Sequence, residues 1–348
     1  MGRDDTSGNP LCQSRRRAKY APFGAPGARS PSTVADWGAP SAERSRRRSP
    51  TPMPAKSYDV AALGELVIDL VPTLDHEGRP CFSPKHGGAP GNVAVGVARL
   101  GGRAAMLSKV GDEAFGQLLL ATLAANGVAT AGVLTTREGL TSLAVVALKA
   151  DGDRDFMLYR KGCAESTYAA EEFALDIVSA ARILHVGSLL LGEPVCAAAQ
   201  KQAVRHAREN VCLVSADVNL RASLWKDPED MRRAALEAAA TADILKVSEE
   251  ELSFLTGTRD PDAGIDKFWR PGLRLLAVTF GPEGAILATA ERRVRAPGFA
   301  VDVVDTVGCG DAFATSLLAD IAMARAELDT TAGLETLARS AFLAGRAR

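Results

Sequence analysis

Ile183-Leu184-His185-Val186-Gly187, Val211-Cys212-Leu213-Val214-Ser215-Ala216-Asp217, Ile244-Leu245-Lys246-Val247-Ser248 and Leu275-Leu276-Ala277-Val278-Thr279-Phe280-Gly281 succeed one another along the chain. Each is a short, near-continuous apolar run, the pattern of a strand buried on both faces, and Ala-rich stretches with helical spacing separate them. Strand, helix and strand in alternation predict βαβ units, hence an α/β fold with a mostly parallel sheet covered on both sides. Upstream, Tyr58 to Val71 reads as one more buried strand, interrupted only by Gly and acids, while Asn92–Leu100 and Phe115–Asn126 carry helical spacing.

Residues 72–88 and 141–160 do not fit that wrapping. They are short, mixed and partly alternating, as in Ser142-Leu143-Ala144-Val145-Val146-Ala147-Leu148, and predict antiparallel strands standing off the main sheet. A small β-sheet lid over the carboxyl ends of the parallel strands is the expected use, because sheets of this kind bind ligands in that crevice.

Of 348 residues, 47% are hydrophobic and 24% charged, enough apolar material to bury a substantial core. The net charge of −1 hides an asymmetry: residues 1–55 hold ten Lys/Arg against four Asp/Glu, leaving 31 against 38 in residues 56–348. A mildly acidic globular part disfavours nucleic acid as a partner, since backbone phosphate is bound by clustered Lys and Arg. Residues 1–55, with Arg15-Arg16-Arg17 and Ser45-Arg46-Arg47-Arg48-Ser49-Pro50, show no hydrophobic periodicity and read as a disordered basic arm. The arm reads as an upstream extension of a protein whose working start is Met53, which predicts a cytoplasmic location; the alternatives are a transit peptide, with a plastid as destination, or a nucleic-acid arm. Six scattered cysteines without a C-x-x-C pair or a His at ligand spacing predict a reducing compartment and neither a disulfide framework nor a zinc site. No apolar run reaches the roughly 20 residues of a membrane helix, so no membrane partner is expected.

The chemistry concentrates late. Asp305-Thr306-Val307-Gly308-Cys309-Gly310-Asp311-Ala312-Phe313 sets two glycines around one small residue, with an acid on each side and a helical pattern after it. Glycines let a backbone aim several N–H groups at one point, and a helix starting there adds its positive dipole end, which makes an anion cradle with a base beside it. The same letters also describe a glycine turn followed by a helix-capping Asp. Polar residues at strand ends face the ligand in a parallel sheet. That rule selects Asp69 in the first strand, Asp217 with Asn219, Ser248 with Glu251, and Gly281 to Gly284. Acids and amides suit a polyhydroxyl ligand, although each alone serves equally well as a cap or a turn. Gly87-Gly88-Ala89-Pro90-Gly91-Asn92 allows close ligand approach before a helix, with Asn92 turned to the ligand or capping. His185 reads as a packed core histidine. There is no G-x-x-x-x-G-K-[S/T] and no dinucleotide fingerprint, so the phosphate site must be the late one.

From about Tyr58 to the end, six ordered strings resemble the ribokinase-like (pfkB-type) carbohydrate kinases, and among them the fructokinases. They are Gly64-Glu65 with Asp69, Gly87 to Pro90 with Asn92, Lys109-Val110-Gly111-Asp112-Glu113 with Phe115-Gly116, Asp217 with Asn219-Leu220-Arg221 and Leu224-Trp225, Lys246-Val247-Ser248 with Glu251, and Asp305 to Phe313. The resemblance implies a three-layer α/β/α domain over residues 56–348 that transfers a phosphoryl group from ATP to a sugar hydroxyl, fructose to fructose 6-phosphate. It implies Asp311 as base and Gly308, Cys309 and Gly310 as anion hole. Asp69, Gly88, Asn92 and Arg160 would hold the sugar, with Asn219 and Arg221 near the transfer site. Lys246, Ser248, Thr279, Gly281 and Gly284 would line the nucleotide, Glu251 would organise Mg²⁺, and Asp305 with Thr306 would take K⁺. A homodimer through the lid is the implied assembly.

Four positions depart from the family pattern. Cys309 stands for the usual Ala, with activity expected to survive because the backbone N–H groups do the work; Gly91 also stands for Ala. Ser248 stands where ribokinases carry Asn, and Glu165 where many relatives carry Asp. Relatives continue past the helix at Ala338–Gly345 with a segment that walls the adenine site, so a chain ending at Arg348 is expected to be truncated there. Alternatives are a kinase for 2-keto-3-deoxygluconate or ribose, and a non-catalytic fructokinase-like interaction protein.

Overall fold

Alternating apolar side chains divide this chain into layers. A computed structural model describes residues 56–148, 154–222, 225, 227–299 and 308–344; the basic arm, Leu224, Asp305 and Thr306 lie outside the described residues. β1 (Tyr58–Leu63) opens the main sheet, and β2 (Val67–Leu74) and β3 (Pro80–Gly87) begin a small one. Helix α1 (Ala89–Arg99) leads to β4 (Ala104–Gly111), α2 (Ala114–Ala125) and β5 (Ala129–Thr136). β6 (Ser142–Leu148) and β7 (Arg154–Tyr159) complete the small sheet. Next come α3 (Leu175–Ser179), β8 (Ala181–Gly187), α4 (Pro194–Glu209), β9 (Leu213–Asp217), α5 (Pro228–Ala240) and β10 (Ile244–Ser248). The remainder is α6 (Glu249–Thr256), α7 (Pro261–Phe268), β11 (Leu275–Thr279), β12 (Gly284–Ala288), β13 (Arg293–Pro297), α8 (Cys309–Ala322) and α9 (Thr331–Ala344).

The main sheet runs β13-β12-β11-β10-β9-β8-β1-β4-β5, parallel from β11 to β5, with β12 and β13 as an antiparallel edge. It grows outward from β1 in both directions, so strand order reverses between β1 and β8. Such a reversal leaves a crevice at the carboxyl ends of the strands. Ala61 and Leu63 of β1 enter one core and Val60 and Ala62 the other; β10 divides the same way, Leu245 and Val247 against Ile244. Helices α3 to α7 cover the first core, and α1, α2, α8 and α9 the second. Each fully buried Leu or Ile contributes about 1.5–3 kcal/mol.

The single strand expected over Tyr58–Val71 is two strands. The chain leaves the main sheet at Gly64-Glu65-Leu66, so Asp69 stands in the small sheet. Glu65 is buried and its carboxylate accepts the N–H of Ala89 at 3.3 Å, which turns the chain toward α1. Both halves carry buried apolar residues, and continuous apolarity concealed the break. The small sheet also starts before residue 72. Its order is β3-β2-β6-β7, two antiparallel pairs joined by a parallel β2–β6 contact in place of an all-antiparallel lid.

Helices α1 and α8 pack closely. A Cβ on Gly96 would come within 2.7 Å of Thr315 Oγ1, so the glycine sets their separation. His185, near the end of β8, is 1% exposed, with Nδ1 3.2 Å from Ser215 Oγ of β9. Burial, helped by the Lys246 ammonium, lowers it to about 4 and keeps the ring neutral.

Gly96→Val is expected to cost about 1–3 kcal/mol by overpacking, read as a lower Tm; an unchanged Tm would contradict the close approach. His185 is neutral in the folded chain down to about pH 4, whereas an unfolded chain protonates it near 6.5. The stability it contributes is complete above 6.5 and lost as pH falls toward 4, by up to about 3 kcal/mol. Urea melts of wild type and His185→Gln across that range should therefore show a gap that changes with pH, and a constant gap would refute the assignment.

Candidate active site

At the strand-order reversal, between the carboxyl ends of β1, β8 and β9 and the small sheet, lies a cavity of about 200 Å³. The small sheet contributes Val67, Asp69, Ala144 and Leu158, and the turn before it Glu65. Gly88 and Asn92, at the start of α1, form one side. His185 and Gly187 of β8 with Ser188 just after it, and Asp217 at the end of β9 with Asn219 and Arg221 beyond it, form the other, and Gly308 and Asp311 complete the wall.

Glycines make the closest approaches. Gly88 has φ of 92°, and a side chain there would strike the Glu65 carbonyl; Gly87 leaves room for the Asp69 carboxylate, whose Oδ1 lies 2.8 Å from the place of a Cβ. Without these two glycines, Asp69 and the start of α1 could not face one cavity.

Gly308, at φ 73°, turns the chain into α8, and Asp311 follows on its first turn. Asp311 is 8% exposed, and its Oδ2 accepts from Asn92 Nδ2 at 2.7 Å. The first-turn N–H groups of α8 have no intrahelical partner and carry the positive end of the helix dipole. The positive end of the helix dipole and a held carboxylate therefore occupy one helix start. The glycine turn of the second reading is present, but Gly308 holds the capping position without a side-chain cap, and Asp311 sits inside the first turn bonded to Asn92 instead of capping the helix.

Lys246 of β10 lies beneath this helix start. A Cβ on Gly310 would be 3.1 Å from its Nζ, and that Nζ donates to both Asp217 oxygens at 3.1 and 3.0 Å. Burial opposes the Lys246 charge, but Asp217, with Glu251 and Asp311, raises its pKa above the ordinary value. Burial also raises Asp217, with Lys246 pulling against it and Glu251 and Asp311 pushing the same way. Burial brings Glu65 up to about 6, with Arg160 the opposing influence.

Not every expected residue reaches the cavity. Arg160 turns its Nε to Glu165 Oε1 at 2.9 Å and is not part of the wall; Ser142 Oγ shares that oxygen. Ser248 and Thr279 are paired neighbours at the ends of β10 and β11, and neither they nor Gly281 and Gly284, which follow β11, line the cavity. Gly284 is fixed by close packing as well, because a side chain would run into the Ala296 carbonyl. Glu251 is the last member of a capping box: Ser248 N–H donates to its Oε2 at 2.8 Å and its own N–H to Ser248 Oγ at 3.2 Å. Among the described residues, no three His, Cys, Asp or Glu side chains form a metal-ligand group. His185 and Ser188 are wall residues that sequence reasoning did not assign, although the strand-end rule covers both.

The family model described as pfkB family carbohydrate kinase matches residues 57–347. Fructokinase-1 of Oryza sativa subsp. japonica is 41% identical over 298 residues, which is 84% of this chain and 92% of the relative. The structure of fructokinase with bound ATP from Xylella fastidiosa superposes with a TM-score of 0.73 at 31% identity, covering 83% of this chain and 90% of that one. A fructokinase double mutant from Vibrio cholerae O395, with fructose, ADP and potassium ion bound, gives 0.72 at 30% identity, covering 84% and 92%. The layered α/β fold is thus shared with enzymes solved with ATP or with fructose and ADP bound, and the chain belongs to the pfkB family of carbohydrate kinases.

Proposed function

We propose that this kinase transfers the terminal phosphoryl group of ATP to the 6-hydroxyl of D-fructose, with Asp311 as the base. The observation that carries this reading is the Asn92–Asp311 hydrogen bond at the start of α8, on the wall of the cavity. Asn92 engages Oδ2 and leaves Oδ1 to take the hydroxyl proton. As the sugar oxygen bonds to the γ-phosphorus, the bond to the bridging oxygen breaks, ADP departs and the proton moves to Asp311. The N–H groups of Gly308, Cys309 and Gly310 face the charge on the transferred group. Because the chain supplies these donors from its backbone, a cysteine at 309 does the same work as an alanine.

Asp69, Gly88 and Asn92 hold the sugar in this reading, with Asn219 and Arg221 at the transfer end. Arg160 acts from behind the wall, through Glu65 and Glu165. Ser248, Thr279, Gly281 and Gly284 form the ledge for the nucleotide, with Lys246 beneath the phosphates. Mg²⁺ arrives with ATP as its counter-ion, and K⁺ would bind at Asp305 and Thr306. The small sheet suggests the assembly. Register puts Phe82, Met157 and Tyr159 on the face opposite Asp69, Ala144 and Leu158, and all three are exposed, which suits a homodimer through that face. Among the described residues no helix is long and apolar enough to cross a membrane. A cytoplasmic protein, or a plastid one carrying residues 1–55 as a transit peptide, is the corresponding location.

ADP release measured with MgATP, K⁺ and fructose, ribose, glucose or 2-keto-3-deoxygluconate should favour fructose. Absence of turnover on every sugar would sink the reading and leave the non-catalytic interaction protein. Asp311→Asn should lower kcat by about 10²-fold or more, and a variant at full rate would remove Asp311 from the base's role.

A further inference from the structure

Gly310 is a glycine for a reason that its own backbone does not supply. It lies inside α8 and, unlike Gly308, is not among the residues of positive φ. What excludes a side chain is Lys246: a Cβ at 310 would stand 3.1 Å from its Nζ and 3.9 Å from its Cε. The ammonium therefore lies against the first turn of the helix that carries Asp311, and adds a full charge to the positive end of that helix's dipole.

Strand alternation brings Lys246 there. On β10, Leu245 and Val247 enter the core covered by α3 to α7, so Lys246 turns with Ile244 to the opposite face, where α8 packs. Asp217 does the same on β9, where Val214 and Ala216 enter the first core, and the register sets it beside Lys246. Both of its oxygens accept from Nζ, at 3.1 and 3.0 Å. The titratable groups around the ammonium are Asp217 of β9, Glu251 of α6, Asp311 of α8 and the neutral His185 of β8; β11 offers only Ala277 at that level. Of these groups, Asp217 is the one hydrogen-bonded to Nζ. Burial alone would drive the ammonium to its neutral form, and Asp217, more than Glu251 or Asp311, keeps it charged.

We propose that Asp217 is a positioning residue for phosphoryl transfer: it holds the Lys246 ammonium against Gly310, where the positive charge faces the phosphoryl group on its way from ATP to the sugar. This role rests on the sugar-kinase reading. It differs from binding the sugar, the other use open to a carboxylate on the cavity wall. Loss of a hydroxyl contact raises KM for the sugar, whereas loss of a held cation is felt in kcat and in how kcat depends on pH.

The ammonium can be followed without substrate, through the ¹³Cε shift of lysine in the labelled full chain, with Lys246→Met giving the assignment. In Asp217→Asn, Lys246 should titrate about one pH unit or more below wild type, because burial is then opposed by fewer charges. With MgATP and the best sugar of the panel, Asp217→Asn should lower kcat about tenfold or more and leave sugar KM within about twofold. Rising pH removes the Lys246 charge, so the alkaline fall of kcat should move down together with that titration. In a Lys246→Met background the same substitution should add almost nothing, since the buried carboxyl left unpaired is neutral and an amide replaces it like for like. Should Asp217→Asn alone not fold, the comparison of Lys246→Met with Asp217→Asn/Lys246→Met carries the test, because the double variant buries no charge at either position. Equal kcat losses in both backgrounds, a further loss on adding Asp217→Asn to Lys246→Met, or a raised sugar KM with kcat unaltered would each overturn the proposal. No turnover on any sugar would sink the kinase reading and with it the role in transfer, whereas turnover with an unmoved Lys246 titration would overturn the proposal alone.

Discussion

One hydrogen bond joins the two halves of this site. Asn92 and Asp311 lie 219 residues apart in sequence, each on the first turns of a helix that covers the same core. Their contact requires α1 and α8 to lie side by side, which Gly96 against Thr315 permits one turn further along each helix. It also requires both helices to start at the carboxyl edge of the main sheet, and the order of β1, β4 and β8 brings that about. The residues proposed to face the sugar and those proposed to face the phosphate become one site through this contact. The two helix starts bring complementary chemistry: small residues and an amide from α1, the positive end of the helix dipole and a carboxylate from α8.

Around that bond the protein keeps charges in places where burial disfavours them. Glu65, Asp217 and Lys246 are each less than 9% exposed, and every one sits on or beside the cavity rather than in the apolar cores. Pairing limits the cost: Lys246 bridges both oxygens of Asp217, and Arg160 offsets Glu65. A buried pair of this kind adds little net stability, because desolvation cancels much of the attraction. Its effect is to fix side chains. Asn219, at φ 42° on the cavity wall, takes the left-handed conformation that asparagine tolerates better than most residues with a side chain.

Much of this was legible in the letters because it depends on local periodicity. The runs at Ile183, Leu213, Ile244 and Leu275 are all strands of the main sheet; His185 and Asp217, at the ends of the first two, line the cavity, and Ser248 and Thr279, at the ends of the other two, do not. Asp311, Asn92 and Asp69, which the family resemblance singled out, all line the cavity. What could not be read depends on tertiary choice. Tyr58–Val71 is apolar throughout, so nothing in its period marks the change of sheet at Glu65; that is decided by the partner, Ala89 N–H. Arg160 looked like a ligand because of its place in a motif, yet Glu165, five residues on, takes its Nε. Glu251 is a capping-box residue by spacing, and its reach to Leu220 across 31 residues has no local signature. Asp305 and Thr306, the proposed K⁺ ligands, lie outside the described residues.

The central claim is that Asn92 acts through Asp311. A double-mutant cycle on kcat measures this most directly, with Asn92→Ala and Asp311→Asn made separately and together. If Asn92 orients the base, Asn92→Ala lowers kcat in the wild type and has almost no further effect once Asp311 is Asn. Equal losses in both backgrounds would mean that the two residues act independently, and would contradict the account.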